Sequence, residues 1–160
     1  MQVISKDIEK KLKTSYEITI LTVNYNTANF ISVIIESVKK LNFYPAKILI
    51  ADNNSEEADF KKLQLLEKEN NNLTIFRLEH KLVGSLAHGH ALNFLSNKIE
   101  TPYFVILDSD ATFLLKHWDK ILIDKLDDTT KVIGSEASGK KPKDFPLMYA
   151  IMLETKTFKS

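Results

Sequence analysis

Apolar residues run along this chain in short blocks that alternate between two periods. ITILTV, from Ile18 to Val23, is apolar and β-branched, the composition of a buried strand. It gives way to the polar tetrad Asn24, Tyr25, Asn26 and Thr27. Beyond it Phe30, Ile31, Ile34, Ile35, Val38 and Leu41 recur at helical spacing, with Thr27 or Asn29 placed as N-cap. The same alternation then repeats. Lys47 to Ala51 predicts a second strand, which runs into Asp52, Asn53, Asn54 and Ser55. Phe60, Leu63 and Leu66 predict a helix closing in the asparagines at 70–72. A third strand is expected over Leu73 to Leu78, and a helix within Leu82 to Leu95, after Gly84. Tyr103 to Leu107 predicts a fourth strand, stopping on Asp108, Ser109 and Asp110. Leu114 to Leu126 reads as helical and Lys131 to Ser135 as a fifth strand. After a polar loop at 139–146, Leu147 to Leu153 predicts a sixth. Ahead of all this, Ile4, Ile8 and Leu12 stand four apart among charged residues. That spacing predicts a short amphipathic helix within residues 1–15, packed on the outside of the domain.

Strands and helices joined by short connections predict the α/β class: a mostly parallel sheet with helices on both faces. No self-similar repeat stands beyond this alternation. At 160 residues the whole chain, 1–160, is expected to form one domain. Hydrophobic residues make up 44%, enough for a core that needs no disulfide or metal staple. The net charge of +1 argues against nucleic acid as a partner. The absence of cysteine excludes thiolate metal sites and cysteine nucleophiles. No apolar run approaches the roughly 20 residues of a membrane span. MQVISKDIEKKLK lacks the apolar centre of a secretory signal, so the cytoplasm is the expected setting.

In open α/β sheets ligands bind outside the carboxyl ends of the strands. Three polar clusters fall at such ends: Asn24 to Asn26, Asp52 to Ser55, and Asp108 to Asp110. Each alone fits helix capping or turn chemistry. Together they point to a site. Asp108 and Asp110 bring two carboxylates to one strand end, a costly arrangement unless a cation lies between them. Carboxylate oxygens suit Mg or Mn, which also accept phosphate oxygens and water. Asp52 ends the second strand, where an acid commonly holds a ribose or a base edge. There is no G-x-G-x-x-G after the first strand, which disfavours a dinucleotide site. Tyr25 offers a flat face and a hydroxyl for a nucleobase, and fits equally as a core aromatic.

The runs ITILTVNYNT, ILIADNNS, Gly84 followed by Ala91 and Asn93, and YFVILDSDA resemble, in order and spacing, the family 2 glycosyltransferases of the GT-A fold. The resemblance covers nearly the whole chain from Glu17 onward. It implies a nucleoside diphosphate sugar donor (UDP-, GDP- or dTDP-linked), a divalent metal, Mn or Mg, and transfer with inversion. The acceptor it implies is a glycan or lipid-linked molecule, in polysaccharide or glycoconjugate biosynthesis. Carried over by residue, Val23 and Tyr25 line the nucleobase pocket, Asp52 bonds the base or ribose, Asp108 and Ser109 lie beside the ribose and phosphates, and Asn24 and Asn54 join them in binding the nucleotide sugar. Asp108 and Asp110 become the metal ligands, and His88, or His90, faces the diphosphate. The family's catalytic base lies well downstream of D-x-D, in an acceptor-side half that is cut short here after about residue 158. Glu154 is the only acid in the final apolar segment, and a strand end explains it as well as catalysis does. A donor-binding or assembly domain, or one completed by a partner subunit such as a second copy in a homo-oligomer, fits the same residues. The Lys-rich first helix is compatible with peripheral contact at the inner face of a membrane.

Two further echoes are weaker. LDSDAT, from Leu107 to Thr112, fits the nucleophile motif of haloacid dehalogenase-like phosphatases, with Ser135 and Lys140 available downstream. That family carries the motif on an early strand and needs a later acidic pair, which is missing. Gly134 to Lys140 has P-loop spacing, but Lys141 stands where the metal-ligating hydroxyl is required.

Overall fold

The computed structural model describes residues 17–80, 82–136 and 146–159. The helix expected within residues 1–15 lies outside them. In chain order the elements are β1 (Ile18–Asn24), α1 (Ala28–Leu41), β2 (Ala46–Asp52), α2 (Glu57–Glu69), β3 (Leu73–Arg77), α3 (Gly84–Ser96), β4 (Tyr103–Leu107), α4 (Trp118–Ile123), β5 (Val132–Ser135), β6 (Leu147–Glu154) and α5 (Thr155–Phe158). They build one six-stranded sheet of order β3-β2-β1-β4-β6-β5. β1 pairs in parallel with β2 and β4, and β2 with β3. β6 runs antiparallel to both β4 and β5.

Every residue of β1 is buried, as expected of a central strand covered on both faces. Alternation sorts its side chains. Ile18 and Ile20, with Ile48, Ile50, Val105 and Leu107, pack under α1, α2 and Trp118. Leu21 and Val23, with Leu49, Ala51, Phe104 and Ile106, pack under Ala91 and Leu95 of α3. The α/β class with helices on both faces is therefore what the chain adopts. In α1, Ile31, Ile34, Ile35 and Val38 form the buried stripe, whereas Phe30 turns outward and is 53% exposed.

Two local expectations are corrected. Thr27 occupies the N-cap position of α1 but makes no side-chain cap bond. Its hydroxyl donates to Asn24 Oδ1 at 2.8 Å, and the Ala28 N–H goes instead to Asp59 Oδ1 at 3.1 Å. The helix expected over Leu114 to Leu126 shrinks to α4. His117, in the left-handed conformation at φ 59°, sets its start. Phe113 stacks on Trp118 with ring centroids 3.5 Å apart, leaving Leu114 and Leu115 exposed. Buried Asp119 fastens α4 to the α1–β2 turn by accepting the N–H groups of Phe43 and Tyr44.

Gly134 owes its identity to packing. A Cβ there would stand 2.7 Å from the Ala150 carbonyl oxygen and 2.7 Å from Ile151 Cγ2 across the β5–β6 pair. The P-loop echo thus begins inside a strand, and its remainder from residue 137 lies outside the described residues.

Candidate functional site

β2, β1 and β4 are neighbours, so the carboxyl ends of three parallel strands open on one edge of the sheet. A cavity of about 690 Å³ lies there. Val23, Tyr25, Asn54, His88, Asp108, Ser109 and Asp110 line it. Tyr25 is 63% exposed, which removes the core reading of its ring.

Asn24 and Asp52 do not line it. Both are fully buried. Asn24 Nδ2 sits 2.9 Å from each of three acceptors: Asp52 Oδ1, Ser55 Oγ and Asp59 Oδ2. Asn24 Oδ1 accepts from the Thr27 N–H and hydroxyl. Asp52 Oδ2 accepts the Ser55 N–H at 3.3 Å and lies 3.8 Å from Arg77 Nε. These side chains hold α1 and α2 to the strand ends and are committed within the protein. The reason is parity: Asn24 and Asp52 continue the faces of Ile20 and Ile50, toward α1 and α2. Tyr25 and Asn53 come one residue later, and both line the cavity.

Thr27, Phe30, His80, Leu82 and Val83, none of them expected there, also line the cavity, as does Asn53 of the Asp52–Ser55 cluster. Strand alternation was the available signal for Asn53. His80 had none, because its place depends on how the chain leaves β3. Asn26 and Asn54 adopt φ of 58° and 61°, a left-handed conformation that asparagine tolerates. Asn26 then ties the two loops, its N–H donating to Ser55 Oγ and its Oδ1 accepting the Glu56 N–H.

Asp108 continues the face of Phe104 and Ile106, toward α3, where His88 Nε2 stands 3.8 Å from its Oδ1. Burial raises the Asp108 carboxyl above the usual carboxylate range; His88 opposes that shift and Asp110 adds to it. Its backbone N–H is fixed by the Tyr149 carbonyl of β6 at 2.8 Å, and Ser109 Oγ bonds the Thr27 hydroxyl at 3.0 Å. His90 falls outside the cavity lining and packs edge-on against His80, with centroids 5.2 Å apart.

Two neighbouring carboxylates, with the charge of partly buried Asp108 disfavoured by burial and by Asp110, suit a divalent cation. Among the described residues no group of three or more potential ligands gathers around one point. The pair thus fits a cation that takes its remaining ligands from phosphate oxygens and water, as Mg and Mn do. Glu154 lies elsewhere. It is paired with Tyr103 at the amino end of β4, on the opposite edge of the sheet. Its Oε2 accepts the Thr157 hydroxyl at 2.8 Å, which holds its carboxyl below the ordinary range.

Residues 19–156 match the family profile described as Glycosyl transferase family 2. A processive diacylglycerol beta-glycosyltransferase of Mycoplasma genitalium is 28% identical over 109 residues, 68% of this chain and 31% of that protein. A teichoic acid poly(glycerol phosphate) polymerase of Staphylococcus epidermidis is 26% identical over 95 residues, 59% of this chain and 13% of that protein. Among solved structures, the mannosyltransferase PcManGT from Pyrobaculum calidifontis, in complex with GDP-Man and Mn2+, superposes with a TM-score of 0.71 at 16% identity. That match covers 92% of this chain and 47% of that one. S. aureus TarS 1–349 with UDP-GlcNAc gives 0.65 at 20% identity, covering 89% and 46%. The likeness to these solved structures establishes a GT-A fold, and this chain spans less than half of either.

Proposed function

The chain belongs to glycosyl transferase family 2, and from that membership we propose that its cavity binds a nucleoside diphosphate sugar, with a divalent cation, for transfer of the sugar to an acceptor. The observation that carries this reading is convergence: Tyr25, His88 and the Asp108–Asp110 pair come from distant parts of the chain and open into one space. Tyr25 offers its ring to the nucleobase over the apolar side of Val23. Asn54 and Ser109 supply polar groups near the ribose. His88 faces the diphosphate, where its protonated form adds positive charge. Asp108 and Asp110 would hold Mn or Mg. Such a cation, when bound, offsets the charge gathering on the leaving diphosphate. The role first assigned to Asp52 passes to Asn53, and Asp52 and Asn24 hold the floor beneath.

Inverting transfer to a glycan or lipid-linked hydroxyl requires a base for the acceptor proton. Among the described residues the acids lining the cavity are Asp108 and Asp110, so the base comes from outside this lining. The same observation favours a second reading, donor binding that needs a partner subunit for turnover. No helix among the described residues is long and apolar enough to cross a membrane. A cytoplasmic setting, with peripheral contact at the membrane's inner face, fits that observation.

Calorimetric titration of UDP, GDP and dTDP into the chain, with Mn2+ and with chelator, tests the reading. Metal-dependent binding of at least one diphosphate, lost in Asp110→Ala while the fold persists, is the expected result. Absence of binding by all three overturns it.

A further inference from the structure

A single exposed leucine is ordinary on a protein surface, whereas a line of apolar side chains running into a cavity marks a place of contact. Phe30, Val33, Ser37 and Leu41 share one flank of α1 at helical spacing. The chain leaving β4 runs along that flank. Ser109 Oγ bonds the Thr27 hydroxyl at the head of α1, the Thr112 hydroxyl donates to Ser37 Oγ at 2.9 Å, and the His117 N–H donates to the Leu41 carbonyl at 2.6 Å. Leu114 and Leu115 stand between the last two of these anchors and are 87% and 59% exposed. Phe30 and Val33 continue the line, half-exposed, and Phe30 is itself part of the cavity lining. On the α3 side Leu82 and Val83 line the cavity, and Leu86, three residues on, is 72% exposed. Aliphatic side chains therefore flank the mouth on both sides.

Two cations stand beside the α1 line. Lys116 follows Leu115 and is exposed, and Lys62 of α2 reaches Asn29 Oδ1 at 3.3 Å, next to Phe30. Neither is in an ion pair among the described residues. Glu36, the acid of α1, is engaged by Lys39 and Lys40, and Asp110 lines the cavity. Exposed apolar side chains next to unpaired ammonium groups suit anionic headgroups: the hydrocarbon enters the interface and the lysine stems reach back to the phosphates. A free glycan needs partners for its hydroxyls, which valine and leucine side chains do not supply.

We propose that the α1 side of the cavity mouth, Phe30, Val33, Leu114 and Leu115 with Lys62 and Lys116, docks on an anionic lipid bilayer, so that the acceptor is drawn from the membrane and not from a free glycan. The docking surface stands by itself; the choice of acceptor rests on the donor-site reading above. The membrane then faces the carboxyl ends of the strands, where the cavity opens.

The test is co-sedimentation of the full chain with vesicles of phosphatidylcholine, with and without phosphatidylglycerol. Binding to the mixed vesicles, stronger than to phosphatidylcholine alone and weakened by salt, is expected. Leu114→Ser with Leu115→Ser should weaken it by about tenfold or more, through loss of two aliphatic chains from the interface. Lys62→Gln and Lys116→Gln should each weaken it by about fivefold, on the mixed vesicles only. Phe158→Ser, which changes a half-exposed aromatic at the opposite edge of the sheet, should leave it alone. Thermal unfolding establishes that each variant is folded. Where the serine pair does not fold, the lysine variants and the preference for mixed vesicles decide. Absence of wild-type binding to mixed vesicles, or binding that a folded serine pair leaves unchanged, overturns the proposal. A dimer in sedimentation velocity that the serine pair dissolves, without vesicle binding, makes this surface an interface between copies and overturns it too. Metal-dependent diphosphate binding should persist on the vesicles, because the surface flanks the cavity; its loss there would mean that the membrane plugs the cavity and would overturn the choice of acceptor. Vesicle binding by a chain that takes up no diphosphate, with or without vesicles, leaves the docking surface standing and overturns the donor reading, with the acceptor choice that rests on it.

Discussion

The His88 imidazole stands 3.8 Å from the Asp108 carboxylate and joins α3 to the end of β4 across the cavity. Asp108 nevertheless holds its proton to higher pH than an unfolded chain would, because burial outweighs the help from His88. Between the unfolded and folded pKa values the native state binds more protons, so this site's contribution to stability falls as pH rises. Asp108→Asn should therefore stabilise the metal-free chain at neutral pH. The gain is about 1 kcal/mol or less, because water screens a partly exposed carboxyl. It should vanish in acid below both pKa values. Denaturant unfolding in chelator at several pH values checks this, and a gain that grows toward acid would refute it.

Tyr25→Ala should weaken nucleotide binding with or without metal, by roughly tenfold, the scale of a lost base–aromatic stack. Its exposure predicts a change in stability within about 0.5 kcal/mol. Tyr25→Phe should keep most of the affinity. Calorimetry together with thermal unfolding separates loss of binding from loss of fold.

Asp119→Ala should destabilise by about 1–3 kcal/mol, because it removes the buried carboxylate that accepts the N–H groups of Phe43 and Tyr44. Asp119→Asn keeps one acceptor and should cost less. Urea midpoints of the two variants give the comparison. Equal midpoints would mean that the turn finds other partners.

Gly134→Ala should cost about 1–3 kcal/mol by overpacking, since the added methyl group meets the Ala150 backbone, which cannot rotate away. A thermal midpoint within error of the wild type would show that β5 shifts to make room.

Much of this was legible from periodicity. The blocks from Ile18 to Val23 and from Tyr103 to Leu107 read as strands, and the polar clusters at their ends gather on one edge because those strands run parallel. The errors came from one residue of phase. Asn24 and Asp52 are polar and end their strands, which marks them as site residues, yet their parity sends them to the α1 and α2 face. Asn53 and Asp108 have the parity of the α3 face and reach the cavity. The helix expected from Leu114 failed for a different reason. Phe113 found a better partner in Trp118, and a left-handed His117 delayed the helix, neither of which leaves a periodic trace. His80 and Asn53 meet through tertiary geometry alone.

The Asp108 N–H is held by Tyr149 of the antiparallel strand β6, not by a parallel neighbour. The acidic pair and that strand are therefore thermodynamically linked: whatever binds the one also resists the release of the other. Charge neutralisation at Asp108 and Asp110 should slow hydrogen exchange along β6, as far as Met152 and Leu153, at amides that touch no ligand. An event at the mouth of the cavity would then be felt at the opposite edge of the sheet, as a change in how often that strand opens.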